Sequence, residues 1–235
     1  MILCAERKLG IFLIPKNGSM SILDAFDDIN VTFKTRKHLN YNEVLDVCKD
    51  ITDLDSYKFY CFYRDPVSRF KSAFKHMKYF ANIDLIREFL TAEDADSFGQ
   101  QAISILRDFA EQNNEQTIKV TNKFYSMISQ DLKEKLDSIS VNQLLLRFNP
   151  SNTPLLAYQK RWMDYNIQID LLPYSDFDNQ LKILLNKFGI ENPTIPHVND
   201  SVDIDVTFTP EEILKIKEIY KEDYDFFATK NILVN

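Results

Sequence analysis

Two short stretches carry cations and hydroxyls at spacings that suit an anion. In "FLIPKNGSMSI", residues 12–22, an apolar run stops at Pro15 and is followed by Lys16, Gly18, Ser19 and Ser21. The chain has only four glycines, and one of them stands here beside a lysine. Glycine lets the main chain approach a ligand closely, and amides at a helix start attract anions. Lys16 adds a compact positive charge, and the two serines add hydroxyl donors. That set suits a phosphate or a phosphosulfate; an ordinary strand-to-helix turn would use the same residues. In "YRDPVSRFKSAF", residues 63–74, Arg64 precedes an Asp-Pro helix start, and Ser72 lies eight residues on, about two turns into the helix. Arg69 precedes Ser72 by three residues, a spacing that shares a helical face. Arginine offers phosphate a planar fork and serine a single donor. The plainer account is an Arg64–Asp65 cap pair beside a solvated basic face.

These side chains need elements that hold them. "LGIFLIP" reads as a buried strand, short, apolar and stopped by proline. "SMSILDAFDDI" places Ile22, Leu23 and Phe26 on one helical face. "NVTFKTR" alternates and predicts a second strand; "NYNEVLDVCKDI" opens with an Asn cap and predicts a short helix. "YKFYCFYR" predicts a third strand, and "DPVSRFKSAFKHMKYF" a helix with Phe70, Phe74 and Met77 at i, i+4 and i+7. Strand and helix alternating in this way predict an α/β fold with a central parallel sheet and crossover helices. Ligands of such sheets bind beyond the carboxyl ends of the strands, where Pro15-Lys16 and Tyr63-Arg64 both fall. Residues 84–148 read as mostly helical, "NIQIDLLPY" as another strand, and "SDFDNQLKILLNKFGI" as a helix with Gly189 near its end. "TPEEILKIKEIYKEDYDFF" reads as one helix with a Thr cap, proline at its first position and acids in its first turn.

The bulk numbers narrow the function classes. With 235 residues, 45% of them hydrophobic, the chain can build one sizeable core, so residues 1–235 read as a single domain with a helical insertion at about 84–150. A net charge of −7 argues against a surface for a nucleic-acid polymer, while leaving room for a local basic pocket. Cys4, Cys48 and Cys61 are odd in number and form no CxxC pair, which fits reduced thiols in a cytoplasm-like compartment. The apolar stretch from Leu9 to Ile14 is too short to span a membrane, and the first residues lack the order of a secretion signal. The expectation is a soluble, cytoplasmic chain without a membrane anchor. The nucleotide P-loop G-x-x-x-x-G-K-[ST] is not met: five residues after Gly10 stands Pro15, and Lys16 precedes Gly18. His38, His76 and His197 have no metal-ligand spacing, so no metal is expected.

Taken together, "IPKNGSMSI" resembles the 5′-phosphosulfate loop of sulfotransferases, and "YRDPVSRFKSAF" resembles their 3′-phosphate motif. The order of the motifs, their strand context and the Arg-to-Ser spacing all agree. The resemblance is closest to the carbohydrate sulfotransferase branch. It continues in "RKHLNYNEVL", in "PHVNDS" at 196–201 and in "YKEDYDFF", and is weakest from about 84 to 150. It implies a P-loop-like three-layer fold and the donor 3′-phosphoadenosine 5′-phosphosulfate. Lys16 would contact the oxygen bridging phosphate and sulfate. The amides of Asn17, Gly18, Ser19, Met20 and Ser21, with the hydroxyls of Ser19 and Ser21, would hold the phosphosulfate. Arg64 and Ser72 would hold the 3′-phosphate. Met20 departs from the small or hydroxylated residue usual in the family, and Phe74 from a common tyrosine. Golgi members of the family carry an anchor, so an unanchored chain implies a bacterial or viral source.

The acceptor implied is a hydroxyl, on a glycan. A sugar hydroxyl is a poor nucleophile, so a base is useful, and His38, after the second strand, matches a histidine in related sequences. An unperturbed histidine titrates near neutral pH, as a general base should. Glu43 and Asp24 are the fallbacks. His76 reads as surface or packing, His197 and Asn199 as part of a loop that could close over the nucleotide, and Trp162 as core rather than acceptor cleft. Two other readings stand beside this one: a P-loop nucleotide-dependent kinase, and a nucleotide- or glycan-binding module without turnover.

Overall fold

The computed structural model describes residues 1–79 except 28, 29, 36, 37 and 52, scattered positions between 93 and 104, then 129–147, 150, 155–195 except 192, and 206–234. The chain opens with a strand that local pattern did not single out, β1 (Ile2–Cys4), which turns back through residues 5–8 into β2 (Leu9–Phe12). So short a connection can join only antiparallel neighbours, and Ile2 lies opposite Ile11 and Leu3 opposite Gly10. Gly10 is required by close packing: a Cβ there would stand 2.5 Å from the Phe59 ring.

After β2 come α1 (Ser19–Ala25), β3 (Phe33–Lys34), α2 (Tyr41–Val47), a 3₁₀ turn (Leu54–Ser56), β4 (Lys58–Tyr63) and α3 (Pro66–Tyr79). β4 runs parallel to β2, with Leu9 beside Lys58 and Phe12 beside Cys61. β5 (Ile169–Pro173) runs parallel to β4. The sheet order is β3-β1-β2-β4-β5. The fold is therefore α/β with a mixed sheet, and the expectation of a wholly parallel one is corrected. Among the described residues the parallel pairs are β2 with β4 and β4 with β5. The stretch "NVTFKTR" contributes two residues at the edge, antiparallel to β1, which stands between it and β2.

Side chains alternate along the strands, so each face collects its own core. Ile11, Tyr60 and Phe62 pack with Ile22 of α1, with Phe26 at its C-terminal cap, and with Leu181 and Leu185 of α7 (Phe177–Lys187), the helix after β5. Phe12, Phe59 and Cys61 pack on the opposite face with Tyr41 and Val44 of α2, Trp162 of α6 (Lys160–Met163) and Phe227 of α9 (Lys221–Thr229). With helices on both faces the strands read as continuous apolar runs, as buried parallel strands do. A third cluster joins Phe70 and Phe74 of α3 to α4 (Gln130–Ser138), α5 (Val141–Arg147) and α8 (Pro210–Ile219). Phe74 is thus a packing residue, as expected. Most of the stretch 84–150 lies outside the described residues.

The caps fall where the sequence places them. Asn40 with Glu43, and Thr209 with Glu212, form capping boxes, and Pro210 opens α8. The stretch 209–227 is two helices rather than one: the chain bends at Tyr220, and α9 starts anew at Lys221. Among the described residues no helix is long and apolar enough to cross a membrane.

Candidate anion site at two strand ends

The loop after β2 is the most strained backbone in this region. Lys16 has φ +67° and Gly18 φ +78°, both left-handed. Glycine tolerates that region, whereas a lysine there is uncommon and marks a position that its surroundings enforce. A Cβ on Gly18 would also lie 2.4 Å from the Phe177 ring, so the position is closed to other residues twice over. Three consecutive residues are fastened. Pro15 O accepts from Arg69 Nε at 3.0 Å. Lys16 O accepts from Arg64 Nη1 at 3.1 Å. Asn17 Nδ2 donates to Phe62 O at 2.6 Å and to Gln159 Oε1 at 2.8 Å.

The exit of β4 is built differently. Asp65 caps α3 by accepting from the Ser68 amide at 2.7 Å, and it takes the Tyr224 hydroxyl at 3.1 Å. Arg64 turns back toward the other exit. Its Nε donates to Ser68 Oγ at 3.0 Å, and its guanidinium lies 4.4 Å from the centre of the Tyr174 ring. The plainer account, an Arg64–Asp65 pair, is therefore not the arrangement present. The two exits meet at the contact between Arg64 and the Lys16 carbonyl.

The electrostatics of this junction favour an anion. Burial first, then Arg64 and Arg69, push the Lys16 ammonium down from its ordinary 10.5 to about 8. A desolvated cation beside like charges is an unfavourable arrangement that a bound anion would relieve. Ser19 and Ser21 are buried near the start of α1. The Met20 side chain packs into the apolar cluster around Ile22 and Leu181, so any contact from this residue to a ligand comes from its amide. Ser72 is half-buried on α3, one turn beyond Ser68. Ser68, not Ser72, is the hydroxyl that Arg64 bonds. Its spacing of i+4 from Arg64 was a readable signal that sequence reasoning missed.

Arg69 is corrected. It is 1% exposed, donates to Pro15 O and to Leu155 O, and lies beside Tyr220 and Asp223. It fastens the loop from beneath and shares no open face with Ser72.

His38 lies against the same exit. Its Nδ1 is 2.6 Å from Leu13 O. A carbonyl only accepts, so Nδ1 carries the proton and Nε2 the basic lone pair. Burial is the first cause that lowers the His38 pKa below 6.5, with Lys16 and Arg69 adding to it. The ring is therefore neutral at neutral pH. Its backbone is anchored too, because Trp162 Nε1 donates to His38 O at 3.1 Å, and Trp162 itself is core. Of the fallbacks, Glu43 is occupied: it accepts from the Asn40 amide at 2.7 Å and from Arg161 Nη2 at 3.1 Å. Asp24 is half-buried on α1. His76 is on α3, where desolvation and then Lys16 hold its pKa down. His197 and Asn199 lie outside the described residues.

Two residues that the sequence did not mark stand under the junction. Gln159 is fully buried and bonds both exits, and Asp223 is fully buried beneath it. Gln159 carries no local signal; Asp223 sits inside "YKEDYDFF", a stretch noted for other reasons. In comparison with protein-family models, curated proteins and solved structures, nothing matches this chain.

Proposed function

We propose that the chain is a sulfotransferase that carries a sulfuryl group from 3′-phosphoadenosine 5′-phosphosulfate to a hydroxyl of a carbohydrate acceptor. The observation that carries this reading is the junction of the two strand ends, with Arg64 Nη1 on Lys16 O at 3.1 Å. A donor with anionic groups at both its 5′ and 3′ positions needs two cationic exits held in one register. On this reading the parallel core β2-β4-β5, with helices on both faces, is a P-loop-like three-layer arrangement, and 84–150 is a helical insertion in a single domain. Three free, buried cysteines suit a cytoplasmic chain.

Each residue then has a task. The amides of residues 18–21 and the hydroxyls of Ser19 and Ser21 take the phosphosulfate, while the Asn17 amide, expected to join them, already donates to Ile14 O at 3.2 Å. Arg64 and Ser72 take the 3′-phosphate, with Ser68 holding the guanidinium in line. His38 Nε2 receives the proton of the attacking hydroxyl as the new O–S bond forms. The bond from sulfur to the bridging oxygen breaks, its electron pair stays with the nucleotide phosphate, and Lys16 neutralises the charge that grows there. Positioning and charge do the work, as in phosphoryl transfer.

The test is a calorimetric titration with adenosine 3′,5′-bisphosphate, AMP and ATP, followed by transfer assays with labelled phosphosulfate donor on mixed glycans. The bisphosphate is expected to bind at least about tenfold tighter than AMP, since a charged hydrogen-bond partner is worth roughly 1.5–3 kcal/mol. Equal binding of AMP, or phosphate transfer from ATP, would overturn the proposal.

A further inference from the structure

We infer that Gln159 is a positioning residue that locks the two halves of the anion site to each other. This role rests on the donor reading above. Gln159 stands 142 residues from Asn17 and 95 from Arg64 in sequence, yet its side chain bonds both. Oε1 accepts from Asn17 Nδ2 at 2.8 Å and from the Arg64 amide at 3.0 Å. Nε2 donates to Arg64 O at 2.7 Å. The orientation of the amide is settled by its partners, because a backbone N–H only donates and a carbonyl only accepts. Gln159 thus binds the Arg64 peptide on both sides, as a neighbouring strand would, at the point where β4 has ended.

The residue is itself held. Its backbone N–H donates to Asp223 Oδ2 at 3.0 Å, and the Lys160 N–H to Asp223 Oδ1 at 3.0 Å. Asp223 lies beside Arg69, whose Nε holds Pro15 O. Tyr220 Oη donates to Leu156 O at 2.8 Å and fixes the same segment one turn earlier. Two supports therefore converge on the loop: Asp223 holds Gln159, which bonds Asn17, and Arg69, which feels the Asp223 charge, bonds Pro15. Lys16 sits between the two held residues, Pro15 and Asn17.

Asn17 shows what the arrangement costs. Its residue is 1% exposed and its Oδ1 has no partner, although both acceptors of its Nδ2 are in place. A buried acceptor left unpaired is unfavourable. The side chain keeps that orientation because the alternative would set its oxygen against Phe62 O and Gln159 Oε1. The contact to Gln159 is thus one that the loop retains against a local penalty, and its effect is to fix the register between Lys16 and Arg64.

The experiment uses the full chain with Gln159→Met, which keeps length and volume but removes all three hydrogen bonds. Affinities for adenosine 3′,5′-bisphosphate and for AMP are measured by calorimetry, kcat and KM by sulfate transfer, and folding by thermal melting. In the wild type the bisphosphate is expected to be preferred; if it is not, the donor reading itself fails, and this role with it. Given that preference, the variant is expected to compress it by about tenfold and to lower kcat more than it raises KM, because misplaced groups lose transition-state contacts first. A folded Gln159→Met protein that keeps the wild-type preference and kcat overturns the role and leaves the donor reading standing. Should that variant not fold, Asn17→Ala removes the same contact from the loop side, and an unchanged preference there overturns the role equally.

Discussion

The two strand exits hold cations by opposite means. After β2 the backbone is distorted at Lys16 and Gly18, and the distortion is maintained from outside by Arg69, Arg64 and Gln159. After β4 the backbone is ordinary: proline opens a helix, Asp65 caps it, and only the Arg64 side chain reaches out. A lysine positioned by enforced backbone geometry can be placed against one atom of a ligand. An arginine on a regular turn, stacked on Tyr174, presents a fork with some latitude. On the proposed reading, the β2 exit, with His38 and Lys16, would carry the chemistry and the phosphosulfate, and the β4 exit would carry the 3′-phosphate. Changes at the first should strike kcat hardest, and changes at the second should strike the preference for a 3′-phosphate.

The largest effect expected is at His38, tied to Leu13 O at the chemical exit. His38→Ala should lower the transfer rate by about 10²–10⁴ with little change in donor affinity. The acidic limb of the wild-type profile should lie below 6.5, because burial lowers this pKa, and it should vanish in the variant. A variant that keeps its rate and its limb would remove His38 from the chemistry. One that loses donor affinity instead would break the division between the exits.

Lys16→Ala comes next. Losing one electrostatic contact to a developing charge costs on the order of 10²–10³ in rate. Melting temperature should hold or rise, since the ammonium is desolvated among like charges. Near-normal turnover in a folded variant would contradict the role. Arg64→Ala should act on the other side of the comparison. Donor binding should weaken by roughly 1.5–3 kcal/mol, and the preference for a 3′-phosphate should fall, with kcat at saturating donor less affected than by Lys16→Ala. Calorimetry and saturation kinetics check both halves, and equal losses of kcat in the two variants would dissolve the contrast.

The cationic exits were legible in the sequence because their signals are local. Pro15 and Gly18 punctuate one loop, Asp65-Pro66 starts one helix, and Asn40 and Thr209 announce their capping boxes within four residues. β1 was not legible, since three residues at Ile2–Cys4 become a strand only through pairing with β2 and β3. The antiparallel edge of the sheet followed from that omission. Arg69 read as sharing a face with Ser72 because spacing places a residue on a face without telling whether that face is buried. Gln159 had no readable pattern at all. Its partners lie 95 and 142 residues away, and a side chain that replaces a missing strand neighbour is recognised only once the strands are in place.

The smallest effect expected is also the one that separates the two cations most cleanly, because only one of them titrates in an accessible range. The Lys16 ammonium falls from 10.5 to about 8, with burial the first cause. Its folded-state pKa is thus below the unfolded value. Below about 8 both states carry the proton, and folding bears the full desolvation of the charge. Between about 8 and 10.5 the unfolded chain still holds a proton that the folded chain has released, so this residue's contribution to stability rises with pH across that window. A bound anion reverses the preference, since it pairs with the charged form. Affinity for adenosine 3′,5′-bisphosphate should therefore be flat from pH 6.5 to about 7.5 and fall above 8, approaching tenfold per pH unit. The ligand-induced rise in melting temperature should shrink over the same range. Lys16→Met should abolish that slope, whereas Arg64→Ala should weaken binding at every pH and leave the slope intact, because arginine keeps its charge throughout. A wild-type affinity that stays flat through pH 9.5 would mean that the ammonium does not meet the anion, and the chemical exit would have to be rebuilt around another group.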